Sequence, residues 1–478
     1  MKAVLSDIHL HRQGGIQRQL YQALVERILS GRIPGGAQLP ASRQWAADLG
    51  VSRNSISAVY DQLRSEGFLA SRQGSGCYVR ENLHHLSSAQ TASIAAPARP
   101  PATRSEAGPV PKSVAVRASN LPFTPGLPDL EAFPIKVWNR LLHQQESRIR
   151  LRGYDEPAGY RPLRTALQHY LRESRGVRCH EDQILITAGA QQGLALIADV
   201  LLSTSDTVLM ENPGYRGARG ALGRLGQTLV PVPLSAQQVL DIQVLDQLPS
   251  ARLLYCTPTH QYPMGGILDI TQRLALLDWA GRTGTWIIED DYDSEFHFVG
   301  KPVAALQGLF EKTPVLYVGS FSKTLLPGLR LGYLVVPDAL VDTFRQMKRF
   351  TGGESPLLTQ AVTAEFMQGG HFISHLRRMR QRYYSKWQRF NHLLETHFGG
   401  RLQAVAESAG MHLVVTGAMD DLAVVQYLAE QGIGSTPLSA HFIGEAVQKG
   451  LVLGFANAGD EDMDRCITAL RTALAFRG

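Results

Sequence analysis

The feature that most constrains how this chain can fold is a break in its composition. From about Glu81 to Asn120 the sequence turns to serine, alanine and proline, as in Ala95-Ala96-Pro97-Ala98-Arg99-Pro100-Pro101. Such a stretch cannot bury enough apolar surface to offset the entropy of ordering it, and it reads as a semi-extended linker. It divides the 478 residues into a small domain, 12–80, and a large one, 121–478, each needing its own core. No apolar run is long enough to span a bilayer, and Met1–Arg12 lacks an apolar signal core. Cys77, Cys179, Cys256 and Cys466 are far apart and form no CxxC pair. A reduced, cytoplasmic protein with neither zinc site nor disulfide framework is expected.

Charge is placed as unevenly as composition. Residues 1–80 carry ten Lys and Arg against five Asp and Glu, and so hold +5 of the chain's net +6. A small basic domain suits a phosphate backbone, although basic surfaces also serve solubility. Ile16–Leu29 repeats apolar residues at Leu20, Leu24, Val25 and Ile28, which is helical spacing. Ser42 is expected to cap a second helix that runs through Leu49 and stops at Gly50. Ser52 is expected to cap a third, Arg53–Glu66, with Ile56, Val59, Tyr60 and Leu63 on its inner face. Two short helices joined by a Gly-containing turn make a helix-turn-helix whose second helix enters the major groove of DNA. Phe68–Val79 reads as a hairpin turning at Gln73-Gly74-Ser75-Gly76, a wing beside the helices. Arg53 at the helix start can reach a guanine edge or a phosphate, and Arg43 suits phosphate. A winged helix used only for dimerisation is the bland alternative. Element order, caps, wing and charge together favour DNA.

Beyond the linker, apolar runs alternate with helical stretches: Ile184–Thr187, Thr207–Glu211, Leu253–Thr257, Thr285–Glu289 and Val315–Gly319. That alternation predicts an α/β fold with a doubly wound parallel sheet. Ile184–Thr187 runs into Ala188-Gly189-Ala190-Gln191-Gln192-Gly193. Small residues there expose amides at a helix N-terminus, where a phosphate is stabilised, but close helix–strand packing selects the same residues. Asn212-Pro213-Gly214-Tyr215 offers a ring to stack on a flat heterocycle, or a simple turn anchor. Glu289-Asp290-Asp291-Tyr292-Asp293 closes a buried strand, at the end where α/β sheets place ligands. Asp290 can pair with a protonated pyridine nitrogen and Tyr292 with a phenolate oxygen; four acids in five residues also suit a divalent metal. Lys323, in Gly319-Ser320-Phe321-Ser322-Lys323 with Arg330 downstream, has what pyridoxal 5'-phosphate needs. Its amine condenses with the aldehyde, while hydroxyls and the guanidinium hold the phosphate. Lysine and arginine together favour this cofactor over a metal, so no metal site is expected.

The segment Leu39-Pro40-Ala41-Ser42-Arg43 with Val51-Ser52-Arg53-Asn54-Ser55 resembles the winged helix-turn-helix of GntR-type regulators. That resemblance implies DNA contacts by Arg43, Ser52, Arg53, Asn54 and the wing at Gly74. From about Leu121 to Arg477 the chain resembles fold-type I aminotransferases. The motifs are Phe123–Asp129, Gly153–Gly159, Thr257–Pro263, Glu289–Phe296 and Ser320–Tyr333, and the whole chain resembles the MocR/GabR subfamily. The resemblance implies that Lys323 forms the internal aldimine, Asp290 pairs with the pyridine nitrogen, Tyr292 approaches the phenolic oxygen and Tyr215 stacks on the ring. It assigns the phosphate to the Ala190 and Gln191 amides, Ser320, Ser322 and Arg330. Tyr154 would reach the phosphate in the partner subunit, which requires the family's domain-swapped homodimer.

Two departures bear on function. Tyr262-Pro263-Met264-Gly265 stands where aminotransferases carry Asn-Pro-x-Gly, with His260 and Gln261 nearby as substitutes. No arginine occurs between Arg401 and Arg465, where those enzymes place the fork that binds an α-carboxylate. Arg216 and Arg219, near Tyr215, are alternative cations. The expectation is a regulator of double-stranded operator DNA that senses an amine, an amino acid or pyridoxal phosphate itself through aldimine exchange at Lys323. Transaminase activity is expected to be weak or absent; a working aminotransferase is the alternative. Arg378, Arg382, Lys386 and Arg389 share one helical face, which reads as solvated or acid-paired rather than DNA-binding.

Overall fold

The computed structural model describes residues 15–72, 76–81, 120–298, 303–310, 312–405 and 409–477, with Ile8 and Leu83. The linker therefore lies almost wholly outside the described residues. The chain packs as two compact units: residues up to 94 together with Leu268–Thr283, and the remainder.

In the first unit, α1 (Ile16–Leu29), α2 (Ser42–Leu49) and α3 (Arg53–Ser65) precede a hairpin of β1 (Leu69–Arg72) and β2 (Gly76–Val79). The expected helical stripes are buried: Leu20, Leu24 and Ile28 on α1, and Ile56, Val59, Tyr60 and Leu63 on α3. Trp45 stacks on Tyr60 at 5.7 Å, and the Tyr60 hydroxyl donates to Pro40 O at 2.9 Å, fixing the entry to α2. Ser52 caps α3 as expected, its side chain accepting from Ser55 N at 3.1 Å. Ser42 does not cap. It is the first residue of α2, and Ala41 takes the cap position without a side-chain bond. Ala41, extended at φ -60 and ψ 138, is the last residue before the helix, so Ser42 already lies inside it. Gly50 closes α2 in the left-handed region.

The second unit is built on a seven-stranded sheet. Its strands are β3 (Ile184–Thr187), β4 (Thr207–Asn212), β5 (Thr228–Pro233), β6 (Leu253–Cys256), β7 (Trp286–Asp291), β8 (Val315–Ser320) and β9 (Gly332–Val335). Two helices matter for the site: α4 (Ala190–Leu201) follows β3, and α5 (Arg216–Leu222) follows β4. The order is β3-β9-β8-β7-β6-β4-β5. The sheet is not wholly parallel as expected: β9 runs antiparallel to both β8 and β3. Only residues 321–331 join β8 to β9, a single helical turn and a 3-10 turn. That is too short for the crossover a parallel neighbour needs. The turn brings Arg330 back beside the start of β3's helix, while β3, β4, β6, β7 and β8 still end along one edge.

A long helix, α6 (His371–Phe398), leads into a second sheet of β10 (Gln403–Ala404), β11 (His412–Thr416), β12 (Thr436–Pro437) and β13 (Gly450–Gly454), ordered β10-β11-β13-β12. The basic face of α6 is acid-paired. Arg382 and Lys386 donate to Asp129 at 2.6 and 2.9 Å, and Arg389 meets Asp460 at 3.2 Å and Asp464 at 3.4 Å. Arg378 donates to Ala132 O at 3.3 Å. These bonds tie the segment around Asp129 to the carboxyl-terminal half.

Candidate cofactor and effector site

The residues singled out in the large unit converge on the common edge of the seven-stranded sheet. Lys323 lies in the turn after β8, half-buried, and its Nζ donates to Gly126 O at 2.7 Å. Gly126 has φ +74, and a Cβ there would lie 2.5 Å from Nζ, so the amine needs glycine at this point. Burial lowers the Lys323 pKa, with Asp293 and Asp290 pulling against it. The lysine thus gives up its proton more readily than a surface amine.

Alternation along β7 resolves the acid cluster. Asp290 faces the lysine and accepts from the Tyr255 hydroxyl at 2.7 Å; burial raises its pKa to about 6. Glu289 and Asp291 point to the opposite face. Glu289 accepts from Leu306 N and Gln307 N at 2.9 and 3.0 Å, and Asp291 is bridged by Arg175 at 2.6 Å. Their demands are met internally, and among the described residues no cluster of His, Cys, Asp or Glu is placed to hold a metal ion.

Tyr292 meets an unforeseen partner. Its hydroxyl lies 2.8 Å from His260 Nδ1, which is 2.9 Å from Asp293 Oδ1, and both His260 and Asp293 are buried. Gly410 (φ +92) packs against that pair: a Cβ there would stand 2.3 Å from His260 Cε1. The sequence alone pointed to His260, and to Asp293 only as one of four clustered acids, but not to Tyr255 or Gly410. Tyr255 was legible only as a strand residue, and Gly410 comes from just ahead of β11, far along the chain.

The anion end is assembled from three segments. Ala190 and Gln191 open α4, where first-turn N–H groups have no partner within the helix. Arg330, at φ 49, donates to Ala188 O at 3.0 Å and lies over Gly189. Ser320 Oγ accepts from Ser322 N at 3.0 Å, and Gln191 Nε2 donates to the Tyr215 hydroxyl at 3.1 Å. Free amides, a guanidinium and a small-residue turn fit a phosphate; lysine, carboxylate and stacking ring fit an aromatic aldehyde. Tyr154 stands apart from these, 97% exposed.

In the small unit Arg43, Ser52, Arg53 and Asn54 are exposed. Neither Arg43 nor Arg53 has an ion-pair partner among the described residues. Gly74 lies outside the described residues.

Comparison with known proteins agrees with this geometry. Residues 126–470 match the model for aminotransferase class I and II, and residues 16–79 that for bacterial regulatory proteins of the gntR family. The probable rhizopine catabolism regulatory protein MocR of Rhizobium meliloti is 38% identical over 98% of this chain and 94% of its own. The chain is a MocR-type member of the GntR regulators. The pyridoxine biosynthesis regulator PdxR of Corynebacterium glutamicum is 30% identical, with 96% of each chain covered. LysN, the α-aminoadipate aminotransferase of Thermus thermophilus, superposes with a TM-score of 0.69 at 26% identity, covering 76% of this chain and 96% of that one. Like its MocR-type relatives, this protein is a transcriptional regulator that joins a helix-turn-helix to a fold-type I aminotransferase domain. No described helix is long and apolar enough to cross a membrane.

Proposed function

We propose that this regulator binds pyridoxal 5'-phosphate at Lys323 and couples an amine effector, or occupancy by the cofactor itself, to operator binding in the cytoplasm. The observation that carries this reading is a lysine of lowered pKa and a buried carboxylate on adjoining strand ends, beside a guanidinium and open helix amides. When bound, the cofactor supplies an aldehyde carbon that condenses with primary amines. Asp290 balances the ring nitrogen, Tyr292 faces the phenolic oxygen with His260 and Asp293 behind it, and Tyr215 covers the ring. Arg330, Ser320, Ser322 and the Ala190 and Gln191 amides hold the phosphate. Lys323, its pKa lowered by burial, would offer the neutral amine that such a condensation requires. An effector shifts the regulator only by its differential affinity for two arrangements of the protein.

Tyr154 completes the site of a second copy, which explains a bare tyrosine in an otherwise folded unit and makes the regulator a homodimer. Arg43, Ser52, Arg53, Asn54 and the wing at Gly74 contact double-stranded operator DNA. The deciding experiment is borohydride reduction of the purified protein followed by peptide mass spectrometry. A phosphopyridoxyl adduct on Lys323 is expected; an unlabelled Lys323 after incubation with the cofactor would overturn the proposal.

A further inference from the structure

The stretch that follows the linker runs past the cofactor lysine. Residues 121–129 come directly after the linker, and the carboxyl-terminal half holds them at both ends. Asn457 grips the start: its Oδ1 accepts from Phe123 N at 3.1 Å and its Nδ2 donates to Leu121 O at 2.8 Å. Gly434 N donates to Pro122 O at 2.7 Å, and Gly454 N, closing β13, donates to Phe123 O at 2.8 Å. At the far end Asp129 N donates to the Tyr383 hydroxyl at 3.0 Å, beside the Arg382 and Lys386 pairs.

Between these anchors the chain folds into a turn, Thr124 N donating to Leu121 O and Leu127 N to Thr124 O, each at 3.2 Å. The turn is strained. Phe123 is a bulky residue at φ 68, a conformation that costs energy and persists where the surroundings impose it. Its ring is fully buried, 4.9 Å from that of Phe390. Within the turn the Gly126 carbonyl accepts from Lys323 Nζ at 2.7 Å. Lys323 follows β8 of the seven-stranded sheet, whereas the anchors belong to α6, the second sheet and the segments beside it. This bond therefore links the cofactor lysine to the segment that the linker enters.

The bond depends on the state of the lysine. A free ammonium has three N–H donors. A nitrogen condensed with an aldehyde keeps at most one, whose direction is fixed by the planar carbon–nitrogen bond. We propose that the Lys323–Gly126 bond is the regulator's switch, made when the lysine is free and broken when it carries the cofactor. The inference rests on the cofactor reading above. An incoming primary amine forms its own bond to the cofactor carbon while the bond to Lys323 breaks. Its two hydrogens pass to the lysine nitrogen, with no oxidation or reduction. Lys323, again a free amine, takes hold of Gly126. The cofactor-free and amine-treated forms thus share one arrangement of residues 121–129, and the loaded form without amine has another.

Full-length protein is compared in three forms: cofactor-free, loaded with pyridoxal 5'-phosphate, and loaded then treated with methoxyamine, which captures the aldehyde and frees the lysine. Absorbance reports the form present. Hydrogen exchange of the peptide spanning 121–129 reports the segment, and affinity for a duplex selected by the protein from a random pool reports the output. Exchange is expected to be about tenfold faster in the loaded form than in the other two, the effect of losing a hydrogen bond to a charged donor. Affinity should divide the three forms in the same way. Lys323→Ala, which lacks the bond throughout, should exchange fast even without cofactor.

Exchange that slows on loading, or that methoxyamine does not restore, would overturn the proposal. So would slow exchange in Lys323→Ala, or an affinity that is equal in the three forms. A normal cofactor band with unmoved exchange defeats this inference alone. Wild-type protein that never acquires the band defeats the cofactor reading, and this inference with it.

Discussion

The two halves of this chain treat charge in opposite ways. In the winged-helix unit Arg43 and Arg53 stand exposed and without ion-pair partners among the described residues. In the aminotransferase-like unit charges are buried and answered: Asp291 by Arg175, Asp129 by Arg382 and Lys386, Asp290 by Tyr255. A surface that reads DNA keeps its cations free for phosphates, since a cation already paired contributes little to association. A site that senses chemistry needs shifted acidities, and those require burial. On the proposed function, the difference separates charges kept for partners from charges used for tuning.

The largest test of this contrast is Lys323→Ala, which should abolish covalent cofactor retention altogether while leaving operator binding by the cofactor-free protein measurable in a gel-shift assay. Next, Arg43→Ala with Arg53→Ala should weaken operator binding by roughly 1–3 kcal/mol for the base-reading arginine and reduce the salt slope by about one for each phosphate no longer neutralised. The cofactor spectrum should not move; equal affinity and slope would show that these arginines are not the reading surface.

The buried carboxylate gives a smaller, pH-dependent effect. Asp290 titrates near 6 in the unliganded fold, so it is ionised above that pH and neutral below it. Cofactor affinity should therefore fall as pH drops through about 6, and Asp290→Asn should be weak throughout and lose that inflection. Gly410→Ala comes next, costing about 1–3 kcal/mol through its positive φ. The added methyl also meets His260, so the cofactor band should shift along with the melting temperature. Smallest in its effect on operator binding is neutralising Arg378, Arg382, Lys386 and Arg389. Stability should drop because Asp129 is left buried without its cations, and operator affinity should hold. A fall in affinity would place that face on DNA after all.

Legibility followed the same divide. The helices and hairpin of the small unit were readable nearly residue by residue, because caps and stripes act over three or four positions; Ser42 failed by a single residue, Ala41 taking the cap position. In the large unit the strands could be read from their apolar runs, and Lys323, Asp290, Tyr292 and Arg330 from the short motifs around them. What escaped was set by pairing between distant segments. The antiparallel course of β9 depends on the length of its connection. The pairing of His260 with Asp293 spans two strand ends, and Gly410 arrives from the segment just ahead of β11. No local pattern encodes those meetings.

The reversal at β9 has one more consequence. Lys323 and Arg330 both belong to the stretch between two adjacent strands, with the helix amides of Ala190 and Gln191 beside Arg330. On the proposed function, the covalent catch and the anion grip would be separate latches on one stiff buckle. Opening the first would leave the second fastened, and an amine could displace the lysine and later depart without the cofactor leaving. Built this way, the regulator would be a reusable gauge, reset in place instead of reloaded after every reading.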